Sequence, residues 1–198
     1  MIVATDGKTP LELPGSLSGA LMLRDLDLTA LVAAAESAHP PLAVDIDSVQ
    51  GLNADVAAVE FVTGELGIGV VVSRRALAAG AAADRGRLGL LHVFAFDSTG
   101  LDRALEAHPP RLGVGTMISP GPVLAHMLRE DLDRLPRPIV AYGLIPSVDM
   151  VAGLLARADA VVISASTAAR LPPDLLAGAA PPGAPWACDR PSRDRHTS

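Results

Sequence analysis

The chain has 198 residues and a formal net charge of −6, long enough for one domain with a sizeable core and without a general pull toward nucleic acid or anionic lipid. Nearly half the residues are apolar, but aromatics make up only 3%, which disfavours single-strand nucleic-acid binding through stacking platforms. No apolar run reaches the roughly 18 residues of a membrane span, residues 1–6 lack the basic head and apolar stretch of a signal peptide, and the single cysteine, Cys188, excludes a disulfide framework and a cysteine metal centre, so a cytoplasmic protein is expected.

Short β-branched runs recur along the chain. They predict strands at 2–4, 20–24, 42–47, 69–73, 88–93, 112–115, 139–141 and 160–164, each followed by a stretch with helical spacing. The first interval is the shortest on helix, because Gly7-Lys8-Thr9-Pro10 leaves little room for one. A helix over 52–65 is expected to bury Val56, Val59, Phe61 and Val62. Another over 123–135 opens after Ser119-Pro120-Gly121-Pro122, with proline just inside its start. Asp97-Ser98-Thr99 and Ser147 are N-cap candidates. Strand–helix alternation at this spacing predicts an all-parallel sheet. Eight units over residues 1–177 predict a single compact (β/α)8 TIM-type barrel with short loops. The alternative is an open doubly wound sheet, although no G-x-G-x-x-G follows the first strand. From Gly178 to Ser198 the composition turns to Pro, Gly, Ala, Arg, Asp and Ser, which predicts a disordered tail carrying the lone Trp186.

In a barrel the functional residues stand at the C-terminal ends of the strands. Alternation on the third strand puts Asp45 and Asp47 on one face. Arg24, Arg74 and His92 are aimed at the same mouth, with Gly143 after the seventh strand and Ser164 ending the eighth. A charge within a Val/Leu/Ile pattern needs a partner or a ligand. The Asp45/Asp47 pair therefore holds a divalent cation, orients ligand hydroxyls, or pairs with Arg24 and Arg74 at the rim. Two carboxylates alone are a thin metal signal, and no metal or other cofactor is assigned. Arg74, at the junction Val72-Ser73-Arg74-Arg75, is the leading anion-binding candidate, against the plainer role of a surface arginine paired with a carboxylate. His92 is either a catalyst or a hydrogen-bonded rim histidine. Gly143 with Ser164 and Ser166 fits the phosphate cup that barrels often build after strands seven and eight. Their plainer roles are a turn glycine and helix N-caps.

These segments, in this order and spacing over about residues 42–171, resemble the glycerol-3-phosphate-responsive antiterminator family. Val44-Asp45-Ile46-Asp47-Ser48-Val49-Gln50-Gly51-Leu52 is similar to the family's His-x-Asp-Leu-x-x-Gly-Leu stretch, and Gly69-Val70-Val71-Val72-Ser73-Arg74 to its Gly-Ile-Ile-Ser-Thr-Arg/Lys. Val93-Phe94-Ala95-Phe96-Asp97-Ser98 resembles Leu-Phe-x-x-Asp-Ser/Thr, and Pro138-Ile139-Val140-Ala141-Tyr142-Gly143-Leu144-Ile145 resembles Pro-Ile-x-Ala-Gly-Gly-Leu-Ile. The run Ala158 to Ser164 is similar to Gly-Ala-x-Ala-Val-x-Thr-Ser. The resemblance implies a barrel that binds glycerol-3-phosphate and prevents termination on leader mRNA of glycerol-utilisation genes. It carries the ligand site onto Asp47, Arg74, Gly143 and Ser164, with Asp45 and His92 beside them. The departures are Asp45 for the family histidine, Met117-Ile118 for the Pro-Gly after the sixth strand, Tyr142 for the first glycine of Gly-Gly, and Ser164-Ala165 for Thr-Ser. A homodimer is allowed by this reading.

Two further readings compete with a ligand-responsive RNA-binding regulator. One is a small barrel enzyme acting on a phosphorylated small molecule through Asp47 and His92. The other is a degenerate barrel kept as a ligand-binding module. The only lysine, Lys8, lies outside the expected mouth, which argues against Schiff-base chemistry. RNA contact requires a local basic surface, either Arg74, Arg75, Arg85 and Arg87 or the tail cluster Arg190, Arg193 and Arg195.

Overall fold

The computed structural model describes residues 1–5, 19–37, 41–95, 102, 106 and 111–172. Eight strands pair in chain order and the eighth pairs with the first, all in parallel, so the sheet closes into a barrel. They are β1 (Ile2–Thr5), β2 (Ala20–Leu23), β3 (Leu42–Asp45), β4 (Val70–Ser73), β5 (Leu88–Phe94), β6 (Val114–Ser119), β7 (Ile139–Tyr142) and β8 (Ala160–Ser164). The described helices are α1 (Leu28–Ser37), α2 (Val56–Glu60), α3 (Ala76–Asp84), α4 (Arg129–Arg134), α5 (Val148–Leu155) and α6 (Ala165–Ala168). This is the expected TIM-type barrel rather than an open sheet.

The strand sequences read as near-continuous apolar runs because both faces are covered. One set of alternate residues fills the barrel: Ile2, Met22, Val70, Leu88, Leu90, Met117, Val140 and Val162, with Ala20, Ala43 and Ala160 as the small members. The other set packs outward against the helices. Val44, Ile46, Val59, Val62 and Val71 form one such cluster, and Ile118, Ile139, Val151, Leu154 and Val161 belong to another. Short connections require close approach of backbone to backbone. A Cβ on Gly89 of β5 would lie 2.0 Å from the Ala79 carbonyl oxygen of α3, and one on Gly115 of β6 would lie 2.5 Å from that of Pro138. Only glycine fits at either crossing.

Several boundaries differ from the sequence expectation. The third strand stops at Asp45, and Ile46–Ser48 turns as a 3-10 helix. The sixth begins at Val114 rather than Leu112, which is almost fully exposed, and runs on to Ser119. Met117 and Ile118 are therefore core residues of β6, and the Pro-Gly that follows the strand is present as Pro120-Gly121, not replaced. The helix over 52–65 starts only at Val56, capped by Asp55, and widens into a π-helical turn at Phe61–Glu65. Val59 and Val62 are buried as expected, whereas Val56 is 41% exposed and Phe61 is half-buried. The segment over 123–135 is a 3-10 turn (Gly121–Ala125) followed by α4, since Pro120 and Pro122 at the start remove two backbone donors. Ser147 caps α5 through Met150 N–H. The Gly7–Pro10 connection, the Asp97–Thr99 cap and the tail from Gly178, with Trp186, lie outside the described residues.

Candidate functional site at the C-terminal mouth

Residues in phase with the barrel filling emerge at the mouth, where the strands end. Arg24 follows Met22, Asp45 follows Ala43, His92 follows Leu90, Ser119 follows Met117, Tyr142 follows Val140 and Ser164 follows Val162. The polar residues of the mouth are thus fixed by strand register.

The structure divides the six sequence candidates between two regions. Gly143 and Ser164 line a cavity of about 710 Å3 above β7, β8, β1 and β2. Its wall also carries Arg24 and Asp25, the segment from Tyr142 to Pro146, and Ser166, Thr167 and Arg170. Asp45, Asp47, Arg74 and His92 stand on the other side of the mouth and do not line it.

On that second side the groups largely satisfy one another. The Asp47 carboxylate, only 6% exposed, accepts from the Ser73 hydroxyl at 3.1 Å and from the Arg74 backbone N–H at 2.6 Å. Arg74 adds Nε at 3.4 Å while its side chain stays 59% exposed. Asp47 therefore ties the turn after β3 to the end of β4. The 3-10 turn takes it out of the strand alternation that the sequence predicts. His92 is buried, and its Nε2 lies 2.6 Å from the Ser119 hydroxyl. Its ring meets those of Phe94 and Tyr142, with centroids at 4.5 Å and 5.3 Å. Burial, and next the Arg74 charge, push the imidazole pKa down to about 4, so it is neutral at pH 7. Asp45 has no side-chain hydrogen bond or ion pair among the described residues. Burial, and then the neighbouring Asp47 charge, raise its pKa to about 6, against the opposing pull of the Arg24 and Arg74 charges. Among the described residues no three His, Cys, Asp or Glu side chains cluster as a metal would require.

The cavity side is built differently. Gly143 at φ 77° and Leu144 at φ 56° turn the chain out of β7 through the left-handed region, and a Cβ on Gly143 would meet only Ser119 Cβ, at 3.9 Å. The glycine is there for the turn and not for close packing. The Ser164 hydroxyl accepts from Thr167 N–H at 3.2 Å, capping α6, and lies 2.9 Å from the Ser166 hydroxyl. Capping and a place on the cavity wall thus coexist in one residue. Arg24 donates from Nε to Asp25 at 2.6 Å, and its guanidinium carbon sits 5.5 Å from the centre of the Tyr142 ring. Arg24 thus pairs with Asp25, not with Asp45. Arg170 was not legible in the sequence: it follows a four-residue helix, with no periodic signal to place it at the mouth.

No helix among the described residues is long and apolar enough to cross a membrane. No curated protein matches the chain. Solved structures share its fold. A glycerol uptake operon antiterminator regulatory protein from Listeria monocytogenes str. 4b F2365 superposes with a TM-score of 0.68 at 21% identity, over 83% of this chain and 91% of that one. A glycerol uptake operon antiterminator-related protein from Thermotoga maritima MSB8 gives 0.66 at 20% identity, over 84% and 94%. The family model described as glycerol-3-phosphate responsive antiterminator matches residues 18–169, from two residues before β2 to the residue after α6. With the match spanning seven of the eight strands and every mouth residue from Arg24 to Ser164, the chain belongs to the glycerol-3-phosphate responsive antiterminator family.

Proposed function

We propose that this protein is a cytoplasmic transcription antiterminator that binds glycerol-3-phosphate at the barrel mouth and acts on leader mRNA of glycerol-utilisation genes. The observation that carries the reading is family membership over residues 18–169, together with an open cavity, its wall carrying Arg24 and Arg170, where barrels bind their ligands. The ligand's phosphate sits at the ends of β7 and β8, against Gly143, Ser164 and Ser166, and its glycerol portion reaches toward the barrel axis past Tyr142. Asp47 stands outside the cavity and braces the turn after β3 through the Ser73 hydroxyl and the Arg74 backbone N–H, and the Arg74 side chain takes no part in the site. Asp45 and His92 flank it from the far side of Tyr142.

The alternative of a barrel enzyme using Asp47 and His92 is the weaker one. General acid–base work needs a group free to exchange a proton near its operating pH. The carboxylate of Asp47 is occupied by Ser73 and Arg74, and the pKa of His92 is far below neutral. A non-catalytic regulator suits both facts.

The test is a titration of labelled leader RNA with the full chain, with and without glycerol-3-phosphate. RNA binding is expected to appear or tighten when the ligand is present. Absence of RNA binding under both conditions removes the antiterminator function, and equal binding under both removes the ligand response.

A further inference from the structure

We propose that Arg24 and Arg170 grip the ligand's phosphate from two walls of the cavity, and that Tyr142 is the positioning residue that aims Arg24. This assigns the anion contact to a pair of guanidinium groups that includes neither Arg74 nor any lysine. The proposal rests on the reading that the cavity over β7 and β8 holds the ligand.

Both arginines line the cavity, one from the end of β2 and one from beyond α6. Each is held by part of its donor set. Arg24 uses Nε on Asp25 and lays its face toward the Tyr142 ring, and no described protein acceptor takes its two terminal nitrogens. Arg170 gives Nε to the Ser166 carbonyl at 3.1 Å and Nη2 to the Pro146 carbonyl at 3.3 Å, and no described acceptor takes Nη1. A guanidinium anchored at one edge presents its remaining N–H groups in a fixed direction, which is how arginine recognises phosphate.

Backbone strain converges on the same wall. Among the described residues only two non-glycines have positive φ, Asp25 at 54° and Leu144 at 56°, and both line this cavity. Such conformations persist where the surroundings impose them, and they gather at ligand sites. At Asp25 the backbone N–H donates to the Ser48 hydroxyl while the side chain meets Arg24. The left-handed turn thus fixes the guanidinium relative to β3. Charge points the same way. The ionisable groups on the wall are Arg24, Arg170 and Asp25, one positive charge in excess, which attracts an anionic ligand. Arg74 is not on the wall, and its Nε and backbone N–H are on Asp47. Arg170 also lies one residue beyond the family match, which ends at 169, so the match itself does not supply the second arm.

The experiment is calorimetric titration of the full-length protein and its variants with two probes, inorganic phosphate and glycerol-3-phosphate. Arg24→Ala and Arg170→Ala should each weaken both probes by about 10- to 100-fold, as expected for a charge-assisted contact. Arg74→Ala should change them by less than about twofold, in keeping with an exposed surface arginine. Tyr142→Phe should keep affinity, whereas Tyr142→Leu, which keeps bulk but has no ring face, should lose it in parallel with Arg24→Ala. If an alanine variant fails to fold, Arg24→Lys and Arg170→Lys decide. They keep charge but not the fork, and undiminished affinity in them overturns the proposal. Affinity within about twofold of the parent in either alanine variant, or a larger loss in Arg74→Ala than in both, overturns it as well. If the parent protein binds phosphate but not glycerol-3-phosphate, the ligand reading fails while the variants still decide the grip. If it binds neither, both fall.

Discussion

Asp47 shows what a single residue lets the sequence say. A carboxylate after a Val/Ile run needs a partner, and that much is legible. Which partner is not, because Ser73 and Arg74 are 26 and 27 positions away and a 3-10 turn removes the residue from strand alternation. Its bonds make Asp47→Ala costly, since it leaves a buried hydroxyl and a backbone N–H without their acceptor. The loss should be about 1–3 kcal/mol in a denaturant melt. Asp45 and His92 carry a second expectation, in opposite senses. The folded carboxyl of Asp45 titrates at about 6, above its ordinary 3.8, so the folded state holds the proton longer and stability falls as pH rises from about 4 to 6. The folded imidazole of His92 titrates at about 4, below its ordinary 6.5. Its contribution is complete above pH 6.5 and is lost as pH falls toward 4. The two slopes offset each other in the parent protein. Asp45→Asn should uncover the histidine slope, raising stability with pH across this window, and His92→Gln the reverse. After solvent screening each is worth about 1–2 kcal/mol. Melts at several pH values between 4 and 7 check both, and a flat profile in Asp45→Asn contradicts the assignment.

At the level of elements, strands were legible and helices less so, for a physical reason. A buried parallel strand must be apolar on both faces, so Val70-Val71-Val72 or Val161-Val162-Ile163 has few other readings. Helices at this barrel's periphery are short and compromised by their connections. The π-helical turn at Phe61–Glu65 lies where the chain must reach β4 in few residues, the 3-10 turn at Gly121–Ala125 lies where Pro120 and Pro122 remove backbone donors, and no periodicity announces either. Glycines mark the same constraint. Gly89 and Gly153 look alike in sequence, yet a Cβ on the first would lie 2.0 Å from the Ala79 carbonyl oxygen and one on the second would meet nothing within 4 Å. Gly89→Ala should therefore force α3 off β5 and cost at least about 1–3 kcal/mol. Gly153→Ala, on the exposed face of α5, should add about 0.5–1 kcal/mol by favouring the helix and restricting the unfolded chain. Thermal melts of the two variants should shift in opposite directions.

For the whole molecule, the number of strands and the mouth itself follow from eight apolar runs with polar residues at their ends, and family membership follows from their order. How the mouth divides does not, because Tyr142 and Arg24 meet across the barrel through strands far apart in the chain. The same distribution of charge bears on RNA. With a net charge of −6, an antiterminator of this kind must use a restricted basic surface. Most described arginines are already engaged. Arg85 pairs with Glu60, Arg111 with Asp84, Arg134 with Asp102 and Arg137 with Asp159, and Arg75 donates to the Ala54 carbonyl. Arg190, Arg193 and Arg195 lie outside the described residues. Few arginines remain to meet phosphates, and each contact on a single strand contributes about 0.7 to the salt slope. The RNA titration with ligand present should accordingly give log K against log salt a slope of about −2 to −3. A slope near −6 or steeper would require about nine contacts, more than this charge distribution supplies, and would mean that the ion pairs named above open when RNA binds.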